Sequence, residues 1–224
     1  EYRVHLANNG HMGHSIDFHA GTVAPNQVMR TIQPGESLDY RFVVHRTGIW
    51  LYHCSTMPMT AHVSAGMFGA LIVPPDDLVS ADREYVLVQS ESYLGPPNEM
   101  GSEMGSGSNG HTMSPTPVPD GTYGVNMAKI NAERPDFVMF NGHANQYVHA
   151  PLTAKVGERV RLWLLAAGPS RGLSFHVVGG QFDTVWKEGA YLLRPPAGGE
   201  VGGGAQALDL SAAQGGFVEM VFEE

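Results

Sequence analysis

With 224 residues, 42% of them apolar, the chain is long enough for one large or two modest domains with sizeable cores. A net charge of −9 argues against nucleic acids and anionic membrane surfaces as partners, because gripping phosphate needs basic patches, and no stretch approaches the roughly 20 apolar residues of a membrane span. The single cysteine excludes an internal disulfide, so disulfides say nothing about the redox compartment.

Helical periodicity is scarce, and 28 glycines and 15 prolines punctuate short runs with strand character. The chain opens on Tyr2-Arg-Val-His-Leu, which reads as a strand, and residues 15–19 are expected to be extended. Ser37-Leu-Asp-Tyr-Arg-Phe-Val-Val alternates and then runs apolar, as sandwich strands do, and Ala70-Leu-Ile-Val is an apolar strand. Short helices fit only around residues 76–80 or 126–132. Residues 95–125, rich in Gly, Ser, Pro and Met, read as a flexible linker. Strands resume with Asp136-Phe-Val-Met-Phe, Ala154-Lys-Val, Glu158-Arg-Val-Arg-Leu-Trp-Leu-Leu and Gly215-Gly-Phe-Val-Glu-Met-Val-Phe. The predicted class is all-β, with units at 1–92 and 135–224 joined by a linker at 93–134.

The chemistry lies in two segments. In Gly48-Ile-Trp-Leu-Tyr-His-Cys-Ser-Thr-Met-Pro-Met-Thr-Ala-His-Val-Ser-Ala-Gly-Met the only cysteine, Cys54, directly follows His53, with His62 eight residues on and Met67 five further. Alone, Cys54 would read as a buried apolar residue. Together with two imidazoles and a thioether it makes the ligand set of a blue copper site, a His2Cys plane with a weak axial Met. Met67 is the expected axial ligand from its place after His62, and Met57 and Met59 are expected to pack around the metal.

The second segment is Asn8-Asn-Gly-His-Met-Gly-His-Ser-Ile-Asp-Phe-His-Ala. In an extended chain alternate side chains leave opposite faces, so Asp17 and His19 share one face and His14 points the other way. His14 can then complete the set of Cys54, His62 and Met67; His11 is its nearest competitor. The same parity sends His53 and Cys54 to opposite sides, giving His53 a second metal with His19. Two coppers are expected, one held by His14, Cys54, His62 and Met67 and the other by His19 and His53, joined through one peptide bond.

These motifs, His-Ser-Ile-Asp-Phe-His at 14–19 and Tyr52-His-Cys followed by His62 and Met67, resemble the copper-containing nitrite reductases and the wider multicopper oxidase superfamily of cupredoxin-domain proteins. The general similarity runs through nearly the whole chain. It implies tandem cupredoxin-like Greek-key β-sandwiches, the second incomplete, with His14 a type 1 ligand, His19 and His53 type 2 ligands, and Asp17 the proton-handling residue. The implied activity passes electrons from a type 1 to a type 2 copper to reduce a small substrate, nitrite to nitric oxide. An external donor, a small redox protein or an organic reductant, would supply the electrons. The resemblance also implies export to a periplasm or the cell exterior, and a homotrimer in which a neighbouring subunit supplies the third type 2 ligand, so this chain alone need not be active. A laccase-like oxidase that reduces dioxygen and a type 1 electron carrier are the alternatives. Laccase-type oxidases use His-x-His pairs and a His-Cys-His, but here Ser55 follows Cys54 and no two histidines are two apart. A carrier would leave His19 and His53 idle.

A faint internal duplication aligns Leu173-Ser-Phe-His-Val-Val-Gly-Gly-Gln with His14-Ser-Ile-Asp-Phe-His, so that His176 corresponds to His14 and Gln181 to His19. The resemblance makes His176 the second catalytic residue, across the substrate pocket from Asp17. The second repeat stops two residues past Phe222, before any counterpart of His53, and the first lacks counterparts of 136–140 and 154–156. The sequence is therefore expected to be a piece of a longer protein, truncated at both ends, with unpaired sheet edges. Met100, Met104, His111 and Met113 have donors that suit cuprous ions, but their composition reads first as linker. His5, His45, His143 and His149 have no ligand-type neighbours and are expected in surface or core-edge roles.

Overall fold

The computed structural model of the chain describes residues 1–97, 120–195 and 202–223. The first half contains β1 (Tyr2–Ala7), β2 (Asp17–Phe18), β3 (Ser37–Phe42), β4 (Gly48–His53) and β5 (Phe68–Val73), with the short helices α1 (Pro25–Val28) and α2 (Met59–Ser64). Strands β1 and β3 pair antiparallel, Tyr2 opposite Phe42 and Ala7 opposite Ser37. Strand β4 runs antiparallel between β2 and β5. The second half contains β6 (Arg83–Ser92), β7 (Leu94–Gly95), β8 (Gly124–Val125), β9 (Phe137–Phe140), β10 (Arg159–Gly168), β11 (Leu173–Phe175), β12 (Thr184–Lys187), β13 (Ala190–Leu193), β14 (Leu208–Leu210) and β15 (Gly215–Val221), with helices α3 (Met127–Asn131) and α4 (Gln146–His149). Its main sheet has the order β13-β12-β15-β10-β6-β9 and is antiparallel except between β6 and β10.

Strand β10 is apolar on both faces because both are covered. Val160, Leu162, Leu164 and Ala166 pack with Phe182, Leu208, Leu210, Val218 and Met220. Trp163, Leu165 and Ala167 point the other way and pack with Ile49 and Leu51 of β4 and with Trp186 and Phe217. Each large side chain buried in this way contributes about 1.5–3 kcal/mol, so the first half is held on the main sheet through β4. Glycine permits the close approach, since a Cβ at Gly215 would collide with the Ile49 carbonyl oxygen. The charge in β10 is Arg161 within the strand and Arg159 at its start. Arg161 is buried but paired with Glu219 and Glu84 and hydrogen-bonded to the Val79 carbonyl, as a buried guanidinium requires.

Alternation along β4 positions the site. Ile49, Leu51 and His53 are buried on the side of the main sheet, whereas Tyr52 turns away to meet the ring of Phe18 at 5.0 Å between centroids, and Phe18 in turn meets Phe42. The strand ends at His53, and the side chain of the next residue, Cys54, lies against His14 and His62.

The all-β expectation holds, and the helix expected at 126–132 forms as α3, capped by the Asn126 side chain, which accepts a hydrogen bond from the Lys129 N–H at 2.9 Å. Residues 76–80 form no helix. The Leu78 N–H closes a turn on the Pro75 carbonyl, and no helical turn follows it before β6. Residues 154–156 form no strand either, because the Lys155 N–H goes to the Glu158 carboxylate and not to a ladder. Within 15–19 only Asp17 and Phe18 are in a strand, since the segment changes partner: His14 pairs with Ile32, Asp17 with His53, and His19 opens a 3-10 turn. Strand β6, at the end of the 1–92 segment, is an interior strand of the main sheet. In the 93–134 segment β7, β8 and α3 are ordered elements, while Met100, Met104, His111 and Met113 lie outside the described residues.

Candidate metal centres

Asn8 shapes the loop that carries His14. Its buried amide donates to the carbonyls of Met12 at 2.7 Å and Ile32 at 3.0 Å, and its Oδ1 accepts from the Gly10 N–H at 3.0 Å. His14 exchanges two backbone hydrogen bonds with Ile32. Gly13 leaves room for this, for a Cβ there would lie 2.7 Å from the Thr31 methyl group. On the other side, the Cys54 N–H donates to the Met67 carbonyl at 3.0 Å and draws the segment after α2 back over the sulfur. His62 projects from α2 and is fully buried; Cys54 is 5% exposed. The sulfur of Cys54 lies 3.4 Å from His62 Nδ1 and 3.7 Å from His14 Nδ1, and Met67 Sδ lies 3.4 Å from His62 Nδ1. The structure thus brings together all four side chains expected at the first site.

Burial pushes the Cys54 thiol up. Hydrogen bonds from His62, the Ser15 backbone, His14 and the Thr56 backbone outweigh it and hold the pKa down at about 5. The thiolate is the form that binds metals. His62 Nε2 is buried without a partner among the described residues, so the ring's polar contacts are made through Nδ1, inside the cluster.

The second group lies on the other side of the same peptide. Asp17 sits opposite His53 in the β2–β4 pairing. The ligand atoms of Asp17, His19 and His53 all fall within 4.8 Å of one another, with His19 Nε2 3.0 Å from His53 Nε2. His53 Nδ1 donates to the Cys54 carbonyl at 2.9 Å, which fixes the tautomer and leaves Nε2 aimed at His19. Burial, then the His53 charge, push the His19 pKa down against the opposing pull of Asp17, favouring the neutral, metal-binding imidazole. Nearby, the Tyr40 hydroxyl donates to the Ile16 carbonyl at 3.2 Å; burial and then the Asp17 charge push its pKa up and keep it a neutral donor.

A thiolate, two imidazoles and a thioether fit copper, whose two oxidation states accept soft sulfur and imidazole alike; the two imidazoles of the second group also suit copper, with the Asp17 carboxylate beside them.

Other expected residues lie apart. His176 is exposed on the loop after β11, where its Nδ1 donates to the Gln206 carbonyl, and it is not in the group of Asp17, His19 and His53. His11 is exposed and outside both groups, so His14 is the donor that its loop supplies. Met57 is 79% exposed and turns to solvent, and Met59, at the start of α2, is 37% exposed, so neither packs inside the cluster as expected. His5 pairs with Asp39 on an exposed strand face, and His45, His143 and His149 are exposed. Sequence reasoning missed Asn8, Ser15, Thr31 and Thr56, which hold the ligand segments; the only signal was the position of Ser15 and Thr56 one and two residues after a ligand.

A family model described as multicopper oxidase matches residues 1–77. A copper-containing nitrite reductase of Neisseria gonorrhoeae is 32% identical over 208 residues, covering 88% of this chain and 48% of that protein. The chain spans about half the length of the curated relatives it matches. The solved copper nitrite reductase from Nitrosomonas europaea is 30% identical and superposes with a TM-score of 0.74 over 99% of this chain and 70% of its own. The Cu-containing nitrite reductase from Thermus scotoductus, 21% identical, repeats the fold with a TM-score of 0.75 over 98% of this chain and 45% of its own. At 30% identity over 99% of its own length and 70% of the Nitrosomonas europaea reductase, the chain belongs to the multicopper oxidase superfamily of cupredoxin-domain proteins that includes the copper-containing nitrite reductases, and its fold is the tandem cupredoxin-like β-sandwich.

Proposed function

We propose that the chain is the copper-holding part of an oxidoreductase of nitrite reductase type, which takes electrons from an external donor and reduces nitrite to nitric oxide. The observation that carries this is the different company of neighbouring residues: Cys54 meets His14 and His62, with Met67 against His62, while His53 meets His19 and Asp17. The first set would hold a type 1 copper and His19 and His53 a type 2 copper; bound there, copper supplies one-electron transfer and a Lewis acid for the substrate's oxygen atoms.

The chain's own groups do the remaining work. The His53–Cys54 peptide, closed by the His53 Nδ1–H hydrogen bond to the Cys54 carbonyl, is a short path between the two groups. Reduction of nitrite by one electron takes up two protons and releases water with nitric oxide. Asp17, beside His19 and His53, is placed to give one proton to a substrate oxygen. The second is assigned to His176, which on this proposal serves the site of a neighbouring copy in a homotrimer whose partner also completes the type 2 ligands. Division into units at 1–92, 93–134 and 135–224, with β6 lent to the sheet of the second unit, and a periplasmic or extracellular setting belong to the same proposal. Among the described residues no helix is long and apolar enough to cross a membrane.

The multicopper oxidase match over residues 1–77 supports a second reading, an oxidase that reduces dioxygen, although the chain lacks His-x-His pairs. Electron paramagnetic resonance of the copper-loaded protein separates the two. Nitrite is expected to alter the signal of a second, spectroscopically ordinary copper and leave the first unchanged. A protein with one copper signal, indifferent to nitrite, would contradict the reductase.

A further inference from the structure

Tyr93 and Glu91 belong to neither metal group, yet they are only 1% and 2% exposed. The Tyr93 hydroxyl donates to one oxygen of the Glu91 carboxylate. The other oxygen accepts from the N–H groups of Ser170, at 3.1 Å, and Arg171, at 2.5 Å, in the segment between β10 and β11. Among the described residues no cationic side chain pairs with this carboxylate, so three donors answer its charge. Removing any one of them leaves a buried oxygen short of a partner, which fixes the far end of Tyr93 firmly.

Tyr93 shares a small core with Ala61 of α2, Val125 and Ile130, separate from the two cores of the main sheet. Its carbonyl also accepts from the Asn126 N–H at 2.9 Å, which ties in the start of α3, the helix that carries Ile130. Helix α2 has six residues and no side-chain cap, well short of the roughly 12 at which a helix persists alone, so packing holds it. Its buried residues are Ala61, His62 and Val63. Successive helical residues lie about 100° apart, so Ala61 faces the Tyr93 core while His62 turns to Cys54, with Nδ1 3.4 Å from the sulfur.

We propose that the Glu91–Tyr93 pair, anchored on Ser170 and Arg171, is a brace behind α2 that sets where His62 stands against Cys54, making Tyr93 a positioning residue of the first metal group. Ser170 and Arg171 lie far along the chain, after β10, so the place of a ligand in the first half depends on a turn in the second. The consequence for bound metal rests on the type 1 copper reading of His14, Cys54, His62 and Met67.

The test is Tyr93→Phe, which keeps the ring and removes the hydroxyl, beside Glu91→Gln, whose amide cannot accept the phenol proton while its oxygen serves the two N–H groups, and the double variant. In the metal-free proteins, hydrogen exchange of the α2 amides is expected to quicken about tenfold in either single variant, the scale of one lost hydrogen bond. In the copper-loaded proteins the thiolate-to-copper bands are expected to change in position and relative strength. Competition with a copper chelator is expected to show about tenfold weaker binding at the first group, the lower end of what loss of a ligand's support costs. The double variant is expected to match either single one, because the two residues act as a unit. Variants that lower the melting temperature but leave the bands unaltered overturn the brace, as do unchanged α2 exchange or a double variant whose effects are the sum of the two. An unchanged protein that shows no intense thiolate-to-copper band overturns the type 1 reading beneath it, a distinct result, since α2 exchange is read without copper.

Discussion

A Cys54→Ala protein is expected to bind one copper ion fewer per chain and to lose its intense visible colour, with electron delivery to substrate falling below detection. The thiolate is the single anionic donor of its group; His14, His62 and Met67 are neutral and hold copper weakly without it. The second group is expected to survive, because His53 is oriented by the backbone carbonyl of residue 54, which alanine retains. Copper analysis with visible absorption reads the outcome. A colourless protein that still binds one copper and still responds to nitrite fits the arrangement, whereas a Cys54→Ala protein that stays coloured removes the sulfur from the site.

Asp17→Asn is expected to lower nitrite turnover by roughly 10²–10⁴-fold, the usual cost of losing a positioned acid, with copper content unchanged. Asparagine keeps the size and the hydrogen-bonding reach of the side chain, but its amide has no proton acidic enough to give. The carboxylate lies beside the two imidazoles and is not among the ligands assigned to the metal, so the effect should fall on kcat and not on copper affinity. Steady-state turnover with a chemical reductant, set beside the copper content of the same sample, separates these. Full turnover in Asp17→Asn would assign the proton to another group.

The two side-chain clusters were legible because they rest on a local rule. Residues 53 and 54 must diverge in any extended backbone, and a chain with one cysteine offers few ways to arrange a thiolate with two imidazoles and a thioether. The strand pattern of β3 and β10 was legible for a similar reason, since burial on one or two faces writes itself into consecutive residues. What could not be read depends on chain segments far apart in sequence. Ser15 meets Ser55 and Thr56, and Thr31 meets Thr56, only after β2 and β4 have paired. Asn8 becomes a hub only when Ile32 arrives beside it. Likewise β6 carries no mark of the sheet it joins, because its partner β10 begins at residue 159, far along the chain. The outward turn of Met57 escaped the sequence as well, since a thioether beside a cysteine looks the same whether it faces the metal or the solvent.

Diffraction from copper-loaded crystals at energies above and below the copper absorption edge bears most directly on the two-site arrangement. Two anomalous peaks per chain are expected, one bounded by Cys54 Sγ and the Nδ1 atoms of His14 and His62, the other against Nε2 of His19 and His53. A single peak contacting both His53 and Cys54 would contradict it.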